Sequence, residues 1–223
     1  MTELRLVPSE AAGGPFSEGT PLPRRLPPGR HGIPANLVLE HQRRRLIMAM
    51  AEALAEHGYA NVTTTQVSER ASVSTSTFYK HFGNLWDCAL AAYVMTSDRL
   101  CEEIEAACAS RDPRSAPLTV GIEAALAFFS AQPQLAQLLC AQAPLEASAI
   151  AAARRILIAR LATMLRRGRE PDGGGAQPPG LDERLIDATF AFVFTRISAG
   201  GSTGLAGLAP ELTAILGRPR QAA

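Results

Sequence analysis

A chain of 223 residues has room for one domain of ordinary size, or for a small domain attached to a larger one. Its 47% hydrophobic content supplies a buried core, and a net charge of +1 excludes a globally basic nucleic-acid coat protein. No run approaches the roughly 18–20 apolar residues that cross a bilayer, and the amino terminus lacks the continuous apolar stretch of a secretory leader. The expectation is a cytoplasmic protein with no membrane partner.

Residues 1–35 hold seven prolines and five glycines without periodicity, which predicts a largely disordered Pro/Gly/Arg-rich arm. Charge is uneven along the chain. Between Arg24 and Arg45 six arginines face a single acid, Glu40, whereas from His81 onward 13 basic residues meet 14 acidic ones. A basic stretch on a neutral body points to a local polyanion contact; the alternative is arginine that only solvates a tail.

Helical periodicity begins at Asn36, with Leu46, Ile47, Met50 and Leu54 on one apolar stripe. His57-Gly58 ends it, the glycine standing in the usual stop position. A second helix starts at Thr63, which caps it, with Gln66 completing a capping box and Val62 at staple spacing from Val67. It runs to about Ala71, and Ser72-Val73 form a turn. Ser74 caps a third helix, in which Phe78 and Phe82 share one face and look inward towards Val67 and Ala71. Gly83 ends it, and Asn84 caps a long fourth helix to about Ser110. Two helices of about two turns with a short turn between them are a helix-turn-helix unit.

The remainder is also helical. An apolar segment spans Leu118 to Ala131 behind Pro113 and Pro117, and a short helix with Leu135, Leu138 and Leu139 lies between Pro133 and Pro144. Residues 145–168 form a long Ala- and Arg-rich helix, followed by the loop GREPDGGGAQPPG. Another helix opens around Asp182 and stops at Gly200-Gly201, and a last one centres on Leu212 and Ile215. No segment has strand periodicity. The expected fold is all-α, about nine helices in total, with a three-helix unit over 36–83, a larger helical part over 84–217 and a tail at 218–223.

With Phe78 and Phe82 inward, Thr75, Ser76, Thr77 and Lys80 are left to face outward. A helix of about nine residues is ~13 Å long, short enough for a major groove about 12 Å wide. Small hydroxyls permit close approach to base edges and phosphates, and Lys80 reaches a guanine edge or a phosphate. Thr64 and Thr65 open the second helix, whose free N–H groups favour a phosphate there. Thr63 reads as a cap rather than a contact. For Lys80, composition bias is the competing account, because it is the only lysine beside 21 arginines.

From about Arg45 to Tyr93 the chain resembles the TetR family of transcriptional regulators: H-G-Y at 57–59, T-T, A-x-V-S at 71–74 and T-F-Y-K-H-F at 77–82, followed by an apolar helix. The resemblance implies an N-terminal DNA-binding domain and a larger domain that binds a small effector and dimerises. Tyr79 and His81 are similar to the family's phosphate-contacting aromatic and histidine, although Tyr79 has an alternative as half core with only its hydroxyl exposed. Two positions depart from the family: Ser72 stands where glycine is usual in the turn, and Leu85-Trp86 where many members have a lysine. A positive φ at Ser72 would cost about 1 kcal/mol, and Trp86 is free to pack the two domains together. The arm bearing Arg24, Arg25, Arg30 and His31 is placed to enter an adjacent minor groove, as homeodomain arms do.

The same resemblance places Met95, Arg99, Phe128, Phe129, Leu138, Arg160, Met164 and Phe194 around an effector cavity, with Thr96 and Thr163 as further polar anchors; plain core is the competing reading for the apolar ones. It assigns Phe190, Phe194, Leu208, Leu212 and Ile215 to a dimer interface. The function so implied is a ligand-responsive repressor, released from a palindromic double-stranded DNA operator by a small, mainly apolar effector. The alternative is a regulator that answers cysteine oxidation or a protein partner. Cys88, Cys101, Cys108 and Cys140 have no C-x-x-C spacing and read as buried reduced thiols. Asp98, Glu102, Glu103 and Glu105 read as a solvated helix face rather than a metal site. No nucleophile, phosphate-loop or zinc motif is present, so catalytic residues, metals and cofactors are not expected.

Overall fold

The computed structural model describes residues 35–140, 148–169, 178–200 and 202–217. Among them are nine α-helices and no strand: α1 (Ala35–His57), α2 (Thr64–Arg70), α3 (Thr75–His81), α4 (Leu85–Ser110), α5 (Pro117–Ala131), α6 (Pro133–Cys140), α7 (Ser148–Gly168), α8 (Leu181–Ser198) and α9 (Ala209–Gly217). A 3-10 segment, Ser202–Leu208, leads into α9. The arm up to residue 34, including Arg24, Arg25 and Arg30, lies outside the described residues, as do 141–147, 170–177, Gly201 and the tail.

Local chemistry sets the helix starts. Thr63 caps α2 with both halves of a capping box: its hydroxyl accepts from the Gln66 N–H at 3.3 Å, and its own N–H donates to Gln66 Oε1 at 2.8 Å. Ser74 Oγ accepts from the Thr77 N–H at 3.1 Å to open α3, and Asn84 Oδ1 from the Asp87 N–H at 3.0 Å to open α4. Each such cap is worth about 1 kcal/mol. Pro117 occupies the first position of α5, where its missing N–H costs nothing. Gly58 leaves α1 with φ 71°, a left-handed exit that only glycine takes without strain.

Helices α1–α3 form a compact unit around Leu46, Met50, Val67, Ala71, Phe78 and Phe82, all buried. Behind it α4 packs on α1, α5 and α7; α6 packs on both α1 and α8; and α5 carries the 3-10 segment and α9. Buried residues of the two parts belong to one continuous core. The molecule is an all-helical fold with an N-terminal helix-turn-helix unit and a larger C-terminal helical part. No helix among the described residues is long and apolar enough to cross a membrane.

Candidate DNA-binding face and effector cavity

The turn between α2 and α3 depends on a non-glycine residue in the left-handed region, Ser72 at φ 52°. Arg45 on α1 stands over it, donating from Nη2 to the Ala71 carbonyl and, at 3.3 Å, to the Ser72 carbonyl. Backbone bonds from Ser72 N–H to the Glu69 carbonyl (2.9 Å) and from Val73 N–H to the Ser68 carbonyl (3.0 Å) close the turn. One Arg45 nitrogen thus braces, through two carbonyls, a turn whose strain the family's glycine would not incur. The neighbouring Arg43 lies over the Phe82 ring at 4.8 Å, and Arg70 pairs with Glu56 to tie α2 to α1.

Phe78 and Phe82 anchor α3 with ring centroids 5.6 Å apart. Thr75, Ser76, Tyr79 and Lys80 are exposed and Thr77 is half-buried. Tyr79 is 57% exposed, which settles its placement in favour of the surface, with its ring edge against Phe78. Capping reaches further into the hydroxyl run than Ser74 alone: Ser74 Oγ also hydrogen-bonds Ser76 Oγ at 2.8 Å and Thr77 Oγ1 at 2.9 Å. His81 is half-buried, its Nε2 3.3 Å from Gln42 Oε1 on α1. Burial lowers its pKa below the ordinary histidine value, and the Arg43 and Lys80 charges add to this, favouring the neutral ring. Thr64 is half-buried and Thr65 exposed at the start of α2. Trp86, at the start of α4, stacks on Tyr59 at 6.1 Å and so joins α4 to the end of α1.

The larger part contains a cavity of about 390 Å³. Its walls are Leu100, Ile104 and Cys108 from α4, Leu118, Ile122, Leu126 and Phe129 from α5, Leu161, Met164 and Leu165 from α7, Ile186, Phe190 and Val193 from α8, and Leu212 and Leu216 from α9. Space exists because α5 turns Gly121 and Ala125 to this face; a Cβ on Gly121 would sit 3.6 Å from Cys108 Sγ, in ordinary contact. Polar lining is sparse: Glu105, Arg111, Arg167 and Thr189. Arg111 directly follows α4 and Arg167 lies in the last turn of α7. That turn abuts the start of α5, where a Cβ on Gly168 would meet the Leu118 backbone at 3.3 Å. Two cations and one carboxylate, Glu105, thus stand among the lining residues, and Phe129 and Phe190 meet edge to face at 6.0 Å.

Of the residues singled out for an effector, Phe129 and Met164 line this cavity. The other six lie outside its lining: Phe128 and Leu138 are buried core, Met95 and Phe194 pack partly buried against it, and Arg99 and Arg160 pair with Glu103 and Asp98. Thr96 and Thr163 spend their hydroxyls on the carbonyls of Ala92 and Ala159. Periodicity identified apolar stripes but not the small residues that open them; Gly121 and Ala125 within the α5 stripe were the available clue. The interface set also changes. Phe190, Leu208 and Leu212 are buried within this chain, holding α8, the 3-10 segment and α9 in place, and have no surface to offer a partner; Ile215 is half exposed. Beside Ile215, the large exposed apolar side chains of this region are Ile156 on α7, 70% exposed, and Phe192 on α8, 43% exposed. Cys88, Cys101 and Cys140 are buried, and burial pushes their thiols up to about 12, 11 and 12 respectively. Cys108 is half-buried in the cavity wall. No group of histidine, cysteine and carboxylate residues suited to a metal occurs among the described residues.

A capped helix-turn-helix whose hydroxyl-rich outer face carries Lys80, joined to a hollow helical body, is the architecture of a DNA-binding regulatory protein. Residues 46–91 match the family model of bacterial regulatory proteins, tetR family, so the chain carries the DNA-binding domain of that family. No curated protein matches by sequence. Among solved structures, the chain is similar to the fatty acid degradation regulator FadR of Bacillus halodurans, at 18% identity and TM-score 0.66 over 78% of this chain and 96% of that one. It is similar also to the transcriptional regulator FadR of Bacillus subtilis, determined in complex with stearoyl-CoA (21%, TM-score 0.61, 80% and 99%). A TetR-like transcriptional regulator from a Rhodococcus species follows at 18% and TM-score 0.56, over 79% and 97%. At these identities the likeness is one of fold.

Proposed function

We propose that the protein is a transcriptional repressor released from a palindromic operator by an acyl-chain effector with an anionic head group. The observation that carries this reading is the cavity, apolar over most of its wall, with Arg111 and Arg167 outnumbering the single carboxylate, Glu105, among its few polar residues. An elongated amphiphile satisfies both features: its chain gains about 25 cal/mol per Å² of apolar surface removed from water, and its head group meets the arginines. The fold shared with a regulator crystallised with stearoyl-CoA supports the class of ligand. Its volume falls within the ~300–1,000 Å³ usual for small-molecule sites.

On the DNA side, Thr75, Tyr79 and Lys80 form the outward face of α3, with Ser76 and Thr77 beside the cap, and Thr64, Thr65 and His81 flanking it as phosphate contacts. The Arg30 arm is proposed as an added backbone or minor-groove contact. Deleting residues 1–32 then weakens operator binding and flattens its salt dependence, and an unchanged slope removes the arm from the interface. Two chains pair through Ile156 and Phe192, which puts two recognition helices on half-sites about one helical turn apart. Effector shifts the population towards a state whose helix spacing does not fit the operator. Against a thiol switch, three of the four cysteines are buried with raised pKa.

Selection of bound sequences from random DNA, followed by titration of the complex with stearoyl-CoA and free fatty acids, tests the reading. A palindromic consensus and release at stoichiometric effector are expected. Retained binding in a Thr77/Tyr79/Lys80 triple-alanine variant would overturn the recognition-helix assignment, and release only by thiol oxidants would replace the acyl effector with the redox reading.

A further inference from the structure

Between the cavity and the helix-turn-helix stands a side chain with three simultaneous engagements. Arg154 on α7 does not line the cavity, yet its guanidinium lies over the Phe190 ring at 5.5 Å, and Phe190 is a cavity wall. Its Nη1 donates to the Leu139 carbonyl at 2.8 Å, and its Nη2 to Asp187 Oδ1 at 2.7 Å. Leu139 belongs to the last turn of α6, where carbonyls have no partner within the helix and where a cation is favoured by the helix dipole. Tyr93 of α4 donates to the same carbonyl at 3.5 Å. The side chain of Arg154 is only 13% exposed, so its bond to the Leu139 carbonyl is partly shielded from water and stronger than a surface one, while Asp187 lies at the surface.

The helix held in this way is, with α4, one of two that pack on both the DNA-binding unit and the larger part. Leu135, Ala136, Leu138, Leu139 and Cys140 of α6 are all buried, and α6 packs on α1 of the DNA-binding unit as well as on α8. Taking the proposed effector reading as its basis, we infer that Arg154 is the positioning residue that couples occupancy of the cavity to the DNA-binding unit, by fixing the end of α6 to the Phe190 wall. A ligand chain beside Phe129 and Phe190 displaces the Phe190 ring. The guanidinium over that ring then cannot keep its bond to the Leu139 carbonyl in the same geometry, and the end of α6 moves. Close-packed interiors transmit such a shift instead of absorbing it, and α1 moves with α6. Allosteric coupling of this kind is a free energy shared by the two sites; Arg154 carries it without touching either ligand.

Arg154→Met keeps a long unbranched side chain and removes the guanidinium; Arg154→Lys keeps the charge, but its single ammonium cannot hold the Leu139 carbonyl and the Asp187 carboxylate in the same fork. Both are made in the full chain and compared with wild type by three measurements: calorimetric affinity for stearoyl-CoA, operator affinity with and without it, and emission of Trp86, the only tryptophan, which sits at the junction of α4 and α1. Wild type is expected to lose operator affinity on binding and to shift its Trp86 emission. In Arg154→Met stearoyl-CoA still binds, but its effect on operator affinity shrinks at least tenfold and the emission shift disappears. Arg154→Lys shows at least a threefold loss of coupling, and serves alone if the methionine variant does not fold. Wild-type coupling in a folded variant overturns the inference.

If stearoyl-CoA does not bind wild type at all, the effector reading fails separately. The relay is then read by filling the cavity with Ala125→Phe, alone and with Arg154→Met. A change in Trp86 emission and operator affinity in the single variant that vanishes in the double variant sustains the relay. An equal change in both, or none in the single variant, overturns it.

Discussion

Ser72 and Arg45 show how a substitution at one turn position is absorbed by a residue 27 positions away. A left-handed non-glycine residue costs ~1–2 kcal/mol, while glycine there loses about 0.4–1 kcal/mol through the freer unfolded chain. The difference predicts that Ser72→Gly stabilises by about 0.5–1 kcal/mol, a rise in Tm of roughly 2–3 °C for a chain of this size, measured by calorimetry. Arg45→Met should do the opposite, costing about 1–2 kcal/mol, since charge-assisted bonds to the Ala71 and Ser72 carbonyls are lost; an unchanged Tm would show that Arg45 does not support the turn. The cysteines yield a second prediction at this scale. A thiol held at about 11, as Cys101 is by burial, is roughly one-thousandth thiolate at pH 8, and raising the pH through the pKa increases that fraction. Iodoacetamide at pH 8 should therefore modify Cys108 first, with Cys88, Cys101 and Cys140 reacting only as the chain opens; peptide mapping by mass spectrometry checks the order.

Among the elements, the junction of α7, α8 and α9 depends on one buried acid. Asp182, its side chain 6% exposed, accepts from Arg169 at 2.7 Å and from Arg166 at 3.3 Å, while Arg169 Nε donates to the Leu216 carbonyl at 2.7 Å. This clamp closes the end of the cavity wall built by α7 and α9. Removing one member of a buried pair costs more than the pair is worth, because the other charge stays desolvated. Asp182→Ala is expected to destabilise by about 2–4 kcal/mol in urea unfolding, and a loss below 1 kcal/mol would place the clamp among ordinary surface pairs. The helices themselves were legible in the sequence to within a few residues, because Thr63, Ser74 and Asn84 cap and Gly58 and the prolines punctuate, all of them local chemistry. Ser72's positive φ could also be anticipated, but Arg45's answer to it could not, since no pattern links positions so far apart. The cavity was the least legible feature. Leu100, Ile104 and Leu161 have the spacing of any core stripe, and whether such a stripe meets a neighbour or a void depends on how α4, α5, α7 and α8 are set together. Exposure was hidden for the same reason: Leu208 and Leu212 are as apolar as Ile156, but only the packed structure shows which of them its own chain covers.

The whole molecule is proposed to act as a pair, and the strength of that pairing sets how tightly it holds DNA. A single α3 of seven residues reaches few base edges, so one chain alone binds a half-site weakly. Joining two chains turns the second contact into an intramolecular event, an effective concentration in the millimolar range that raises affinity by about 10²–10⁴ without any new contact. Ile156 and Phe192 are the proposed source of that gain, because both side chains leave apolar surface in water that a second copy would cover. A like charge placed there on each chain of a two-fold pair meets its own copy or sits desolvated in the seam, and either outcome opposes association. The variant Ile156→Glu/Phe192→Glu should therefore run as a monomer by light scattering where wild type runs as a dimer. Its operator affinity should fall at least 100-fold, with about half the salt slope, because half as many phosphates are neutralised per complex. Neither residue lines the cavity or belongs to the described core, so the Tm measured under conditions where wild type is also dissociated should stay within a few degrees. A double-glutamate variant that remains dimeric would move the seam elsewhere, and half-exposed Ile215 on α9 is the next position at which the same charge reversal would be read.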